Sequence, residues 1–239
     1  MKAMILAAGL GTRLKPFTNN HPKALAVVNG KTLLQRNIEY LASYGFQEVI
    51  VNVHHFADQI INVLEKNQGF GSEITISDET DEVLETGGGI KKSAWFLGKD
   101  TSPCLVMNVD ILTDLNLKEM LSYHIEKKPI ATLAVTLRDT SRYFLFDKKE
   151  QLCGWKNVKT GEEKISKQED TYVPKAFSGI QILSPEIFTS INQTGKFSMV
   201  DIYLELAKSS TILGYEHDFS KFVDAGKPES ILKAESMFP

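Results

Sequence analysis

Cysteine is scarce in this chain: two among 239 residues, Cys104 and Cys153. Both sit in apolar surroundings, which points to buried free thiols in a reducing compartment and excludes a disulfide-stapled secreted domain. A surplus of positive charge is missing as well. Lys plus Arg number 27 against 30 for Asp plus Glu, a formal net charge of −3. That balance gives no global attraction for nucleic acid or an anionic membrane, so any phosphate chemistry has to rest on a few well-placed cations. Sixteen glycines and eight prolines are too few for a collagenous or low-complexity chain, and 42% apolar content is too high for disorder. No stretch approaches the ~20 apolar residues that a membrane-spanning helix requires. Met1-Lys2 and the apolar run to Leu10 resemble the start of a signal peptide, but Gly11-Thr12-Arg13-Leu14-Lys15-Pro16 follows where a cleavage region would stand. The expected protein is cytoplasmic, with neither a nucleic-acid nor a membrane partner.

What is present is an alternation of short apolar runs and amphipathic segments. Lys2 to Ala8, Glu48 to Val53, Ile74 to Ser77 and Cys104 to Val109 read as buried strands. Between them Thr32 to Tyr44, Ala57 to Leu64 and Gly87 to Leu97 read as helices, and Leu117 to Ile125 as another. Strand and helix in turn imply right-handed crossovers and a Rossmann-like α/β fold: a mostly parallel sheet flanked by helices. After Ile130 the texture becomes β-rich, with segments at Ala131 to Leu137, Tyr143 to Asp147, Leu152 to Val158 and Ala176 to Leu183. The polar stretch Lys159 to Asp170 reads as a mobile loop. Helices near Pro185 to Ile191 and Val200 to Ala207, strands at Thr211 to Glu216 and Lys221 to Val223, and a helix after Pro228 complete the chain. No repeat or linker divides it. A single domain with a β-rich insertion is expected.

The strongest chemical signal is Leu6-Ala7-Ala8-Gly9-Leu10-Gly11-Thr12-Arg13, continuing to Pro22-Lys23. A buried strand feeding a glycine-rich turn lets backbone N–H groups point at phosphate oxygens. Arg13 adds a forked, permanent charge and Lys23 a compact one. A Rossmann turn needs a third glycine where Leu14 stands, and a Walker loop needs Gly-Lys-Ser/Thr, which is absent. His54-His55 has the look of a metal pair, yet adjacent side chains on an extended segment face opposite ways. Phe56, Trp95 and Trp155 read as core or pocket wall.

These residues, with Glu85-Thr86-Gly87-Gly88-Gly89, Asn108-Val109-Asp110, Phe177-Ser178-Gly179-Ile180 and Val223-Asp224-Ala225-Gly226, resemble the signature blocks of the sugar-1-phosphate nucleotidyltransferases. They occur in that family's order and span nearly the whole chain. The resemblance implies an enzyme that joins a sugar 1-phosphate to a nucleoside triphosphate and releases pyrophosphate. It also implies a division of labour: residues 1–130 mainly for the nucleotide, 131–223 mainly for the sugar, and 224–239 for a metal-binding Asp and the last helix. Arg13, Lys23 and Asp110 are the catalytic residues so implied, and Asp110 and Asp224 the ligands of Mg²⁺, which keeps several waters and bridges phosphates. Leu6, Ala8, Gly9, Gly11, Thr12, Arg13 and Lys23, with Thr86, Gly87 and Gly88, are the implied nucleotide-binding set. Asn108, Ser178 and Gly179 are the implied sugar-binding set.

The chain departs from the family pattern at Val109, where many members have Gly, and at Lys227, where Thr is common. A Glu-Lys-Pro element, which supplies a phosphate-binding Lys in many relatives, is missing; Lys175 is the candidate substitute. The blocks and the length look most like N-acetylmuramate-1-phosphate uridylyltransferases of cell-wall recycling, with UTP as the nucleotide and either a monomer or a homo-oligomer as the assembly. The length speaks against members with a β-helix or another C-terminal domain. Mannose-1-phosphate guanylyltransferases are the runner-up, and phosphocholine cytidylyltransferases share the first motif. A non-catalytic nucleotide-sugar sensor would not need both Asp110 and Asp224, and a nicotinamide-dependent oxidoreductase would need the missing glycine.

Overall fold

The alternation of apolar runs and amphipathic segments becomes a three-layer α/β arrangement in the computed structural model, which describes residues 1–239. In chain order, β1 (Lys2–Leu6) is followed by a small hairpin of β2 (Val27–Val28) and β3 (Lys31–Thr32), α1 (Leu33–Ser43), β4 (Glu48–Val53), α2 (Ala57–Lys66) and β5 (Glu73–Asp78). Then come α3 (Glu85–Lys92), α4 (Ala94–Leu97), β6 (Cys104–Asn108), β7 (Ile111–Thr113), α5 (Leu117–Lys127), β8 (Ala131–Thr136), β9 (Arg142–Phe146), β10 (Leu152–Asn157) and β11 (Glu162–Ile165). The long β12 (Val173–Leu183), α6 (Ile187–Ser190), α7 (Met199–Leu206), β13 (Ile212–Glu216), β14 (Phe222–Asp224) and α8 (Pro228–Met237) close the chain. Helix starts follow local chemistry. The Thr32 hydroxyl accepts from Gln35 N at 3.1 Å, and Asn116 Oδ1 accepts from Lys118 N and Glu119 N at 3.1 and 3.3 Å.

The central sheet runs β13-β8-β12-β6-β1-β4-β5. β5, β4, β1 and β6 are mutually parallel, β13 is parallel to β8, and β12 alone runs against its neighbours. The expected mostly parallel sheet is present. The N-terminal end of β12 also pairs with β9, which carries β10 and β11 as an antiparallel extension. The Lys159 to Asp170 stretch is therefore not a loop throughout: β11 lies inside it, in register with β10 from Gly154↔Ile165 to Asn157↔Glu162. Its side chains are almost all exposed, so backbone pairing rather than burial makes it a strand. The helix expected over Gly87 to Leu97 starts at Glu85 and breaks at Ser93 into α3 and α4.

Alternate residues of the strands face opposite layers, as strand geometry requires. Ala3, Ile5, Val49, Val51 and Val53 pack with Leu34, Ile38 and Leu41 of α1 and Ile60 and Leu64 of α2. Met4, Ile50 and Val106 face the other way, onto Ile90, Leu97, Ile187 and Tyr203. Each such side chain, fully buried, contributes roughly 1.5–3 kcal/mol. A smaller cluster, Leu14, Ala26, Val28, Leu33, Leu112, Val223, Ala225 and Ala234, braces the glycine turn against α8 and the β7–β14 ladder. Both cysteines are buried and free, as expected. Trp95, read as core or pocket wall, is instead largely exposed.

Candidate active site

Because β1, β4, β5 and β6 are parallel, their C-terminal ends share one edge, and the glycine turn after β1 emerges there. The turn is held from below. Asn52, at the end of β4, accepts from Ala7 N and Ala8 N at 2.6 and 3.3 Å. Its amide nitrogen donates to Glu79 Oε1 at 2.8 Å, and Glu79 Oε2 accepts from Leu84 N at 3.3 Å. Asn52 and Glu79 are almost wholly buried. With Ala7 and Ala8 held, the amides of Gly9, Leu10 and Gly11 donate to no group of the protein and remain open to an anion. Gly11 has φ +61°, and a Cβ there would lie 2.9 Å from both Lys23 Cβ and Thr18 Cγ2, so only glycine fits. Thr12 begins the short 3₁₀ turn that carries Arg13 out of the loop, and its side chain is exposed.

The acidic pair is assembled by a ladder that spacing alone did not reveal. β14 pairs antiparallel with β7, Asp224↔Ile111, and Ala225 N donates to Asp110 O at 2.8 Å. This sets Asp224 beside Asp110 across more than a hundred residues of chain. Lys23 Nζ is 2.9 Å from Asp110 Oδ2. Arg13 Nη2 lies 3.9 Å from the same oxygen and 3.7 Å from Asp224 Oδ1. Gly226 fills the space between them. A Cβ there would meet Arg13 Nη2 at 2.6 Å, Asp224 Oδ1 at 2.8 Å and Asp110 Oδ2 at 3.0 Å. Both carboxylate oxygens thus lie about 3 Å from one point of space that a larger residue would fill. Two hard oxygen donors so placed fit a divalent cation of the Mg²⁺ kind.

Leu6, Ala8, Gly9, Arg13, Lys23, Thr86, Asn108 and Asp110, all expected site residues, line one cleft of about 260 Å³. Asn52, Glu79, Val83 and Glu85 complete its wall. Gly87 and Gly88 lie behind it. Their amides donate to Phe197 O at 3.0 and 3.3 Å. A Cβ on Gly87 would sit 2.4 Å from the Phe197 ring, and one on Gly88 2.3 Å from Gly195 O. Close packing against residues 195–197 is the visible reason for these glycines. Thr86 Oγ1 accepts from Met199 N at 3.0 Å and ties the start of α3 to α7.

On the far side of β6, Gly179 has φ +73° and sits against Asn108, whose Nδ2 a Cβ would approach to 2.8 Å. Asn108 and Gly179 are therefore neighbours. Ser178 is fully buried, with its hydroxyl 2.8 Å from His217 Nε2. Lys175, the candidate substitute cation, is already committed: its Nζ is 2.8 Å from each oxygen of Glu150 and 2.7 Å from Glu216 Oε2. Burial alone would pull its pKa down, but the bonds to Glu150 and Glu216 outweigh that and raise it. It is a structural ion-pair centre, not a free phosphate ligand. His54 Nδ1 lies 2.6 Å from Glu79 O.

The family described as Nucleotidyl transferase matches residues 2–238. The chain belongs to this family. It is 33% identical to the N-acetylmuramate alpha-1-phosphate uridylyltransferase of Caulobacter vibrioides, over 98% of this chain and 95% of that one. It is 27% identical to the mannose-1-phosphate guanyltransferase of Yarrowia lipolytica, over 100% of this chain and 64% of that one. Against the longer guanyltransferase, therefore, it spans just under two thirds of the relative. The crystal structure of HddC from Yersinia pseudotuberculosis complexed with GMP-PN superposes with a TM-score of 0.79 at 26% identity, covering 100% of this chain and 99% of that one. As a nucleotidyltransferase the chain acts within the sugar-1-phosphate group, whose members generally use a divalent metal. No helix is long and apolar enough to cross a membrane.

Proposed function

We infer that this nucleotidyltransferase joins UTP to N-acetylmuramate 1-phosphate, giving the nucleotide-sugar and pyrophosphate, in the cytoplasm and in the service of cell-wall recycling. The observation that carries the reaction type is the convergence of Lys23 and Arg13 on Asp110 and Asp224 in a cleft lined by Gly9, the first residue of the loop whose amides stay open. The choice of substrates is supported by the relative that matches this chain almost end to end. The sugar phosphate is already an anion, so no side chain has to activate it. Its oxygen attacks the α-phosphorus, the bond to the β-phosphate oxygen breaks, and pyrophosphate leaves.

The protein aligns the reactants and neutralises charge. The amides of residues 9–12 and the Arg13 guanidinium hold the triphosphate tail. Lys23 exchanges its carboxylate partner for the reacting phosphates. Asp110 and Asp224 would hold Mg²⁺, which would supply charge screening for the phosphates. Leu6, Ala8 and Thr86 line the nucleotide side, Gly87 and Gly88 keep that wall in place, Asn108 borders the sugar side, and Ser178 and Gly179, expected to bind the sugar, are buried behind it and serve as backing instead.

A second reading, transfer of a guanylyl group to mannose 1-phosphate or a similar sugar, is favoured by the likeness to the Yarrowia enzyme and to the HddC complex. A competition assay decides. UTP, GTP, CTP and dTTP at equal concentration are offered with N-acetylmuramate 1-phosphate or mannose 1-phosphate, and pyrophosphate and products are measured. UDP-N-acetylmuramate as the main product is expected. GDP-mannose as the main product would transfer the conclusion to the second reading.

A further inference from the structure

Two buried polar atoms beside the acidic pair have no partner in the protein: Arg138 Nε and His217 Nδ1. Both side chains pack on the ring of Phe222. The Arg138 guanidinium carbon lies 4.9 Å from the ring centroid, and the His217 ring meets it edge-on at 5.9 Å. Phe222 and Asp224 are two residues apart on β14, so they face the same side of that strand about 7 Å from each other. The guanidinium is thereby set one strand step from an Asp of the acidic pair. It reaches that place from the end of β8, beyond β12, whereas Arg13 reaches Asp224 from the loop after β1.

Arg138 is positioned but not neutralised. Its single hydrogen bond runs from Nη2 to Phe177 O at 2.8 Å, and no carboxylate pairs with it. Lys175, the other buried cation of this half, is saturated by Glu150 and Glu216. Burial pulls the Arg138 pKa down while Asp224 pulls it up, and a guanidinium stays charged in either case. The Phe222 ring and the Phe177 carbonyl hold the guanidinium in place, and Nη1 has no partner in the protein.

The second substrate brings its own phosphate to the acidic pair, next to a triphosphate already served by Arg13 and Lys23. We propose that Arg138 binds the phosphate of the sugar 1-phosphate and sets the acceptor's orientation. This rests on the reading of the reaction given above. A planar, pre-oriented fork suits this task better than a flexible ammonium.

Arg138→Met and Arg138→Lys test it, with steady-state kinetics on whichever nucleotide and sugar phosphate the wild type uses. In Arg138→Met the KM for the sugar 1-phosphate should rise about tenfold or more while the KM for the nucleotide stays within about twofold. Arg138→Lys should fall between the two. The wild type should prefer the sugar 1-phosphate over the unphosphorylated sugar as a competing ligand, and Arg138→Met should lose most of that preference. Should Arg138→Met fail to fold, Arg138→Lys supports the same KM split. An unchanged acceptor KM in a variant that melts like the wild type overturns the assignment and leaves the reaction standing. A wild type that releases no pyrophosphate with any pair removes the reading of the reaction, and the assignment with it.

Discussion

The glycine-turn side and the antiparallel side of one sheet edge treat their polar groups in opposite ways. The glycine turn itself rests on a joined network: Asn52 holds Ala7 and Ala8, Glu79 holds Asn52 and Leu84, and Thr18 Oγ1 donates to Gly11 O at 2.9 Å, while Ser93 Oγ, a buried hydroxyl without a partner on this half, lies further along, after α3. On the antiparallel side Thr136 Oγ1, Arg138 Nε and His217 Nδ1 are buried without a partner. A fully bonded network keeps its shape before the ligand arrives, while unpaired buried groups are held at a cost that a ligand can relieve. On the reading proposed above, the nucleotide side would be built in advance and the acceptor side completed by its substrate.

The severest challenge strikes the point where the two sides meet. Asp110→Ala should lower kcat about 10²-fold or more, on the order of 2.7 kcal/mol of transition-state stabilisation. Chelation with EDTA should silence the wild type. An Asp110→Ala protein that stays fully active in EDTA would break the assignment of both Asp110 and the metal.

Next comes the network beneath the glycine turn. Asn52→Ala strands two backbone N–H groups and the Glu79 carboxylate, and should cost about 2 kcal/mol of stability, read from denaturant midpoints. It should also raise the nucleotide KM more than the acceptor KM. An equal rise in both would erase the distinction between the sides.

Acid should expose the antiparallel side through His217. Desolvation holds His217, and likewise His124, down to about 4 in the fold. An unfolded histidine has its ordinary value near 6.5, so between these limits the unfolded chain binds the extra proton. Stability should therefore be undiminished by either histidine above pH 6.5 and should fall as the pH drops toward 4, by roughly 1.4 kcal/mol per pH unit for each. His217→Gln should remove its share of that slope in pH-dependent melting; an unaltered slope would show that His217 does not titrate this way.

The smallest effect belongs to Arg13→Lys. Its charge survives but the fork is lost, so kcat should fall about fivefold with a smaller change in nucleotide KM. Equal turnover would make Arg13 merely structural.

Much of the fold was legible because burial leaves a period in the sequence. β4 matches its expected bounds, and α1 begins right after the Thr32 cap. β11 was hidden because Glu162-Glu163-Lys164 has no apolar face to betray it. The site was legible where glycine and charge follow a strand, as at Gly9 to Arg13. The β7–β14 ladder was not, since three-residue strands carry too little pattern, yet it is what joins Asp110 to Asp224. Asn52 left a readable trace, a lone amide near the end of the apolar run Val49 to Val53 on a strand that pairs with β1. Glu79 and Arg138 left none, because their meaning comes from partners far along the chain.

The Lys175 ion pairs have a mechanical side. Lys175 joins β12 to Glu150 in the turn between β9 and β10 and to Glu216 at the end of β13. Glu150 O accepts from Gly214 N at 2.9 Å, and Gln151 bridges to Leu213. The antiparallel arm is bolted to the sheet at its root by charge and backbone together. A hinge at that root would have to break these bonds, and the outer β10–β11 hairpin is itself tied to α7 by Lys164 Nζ on Asp201 Oδ1 at 2.9 Å and by Ser166 Oγ on Leu204 O at 2.6 Å.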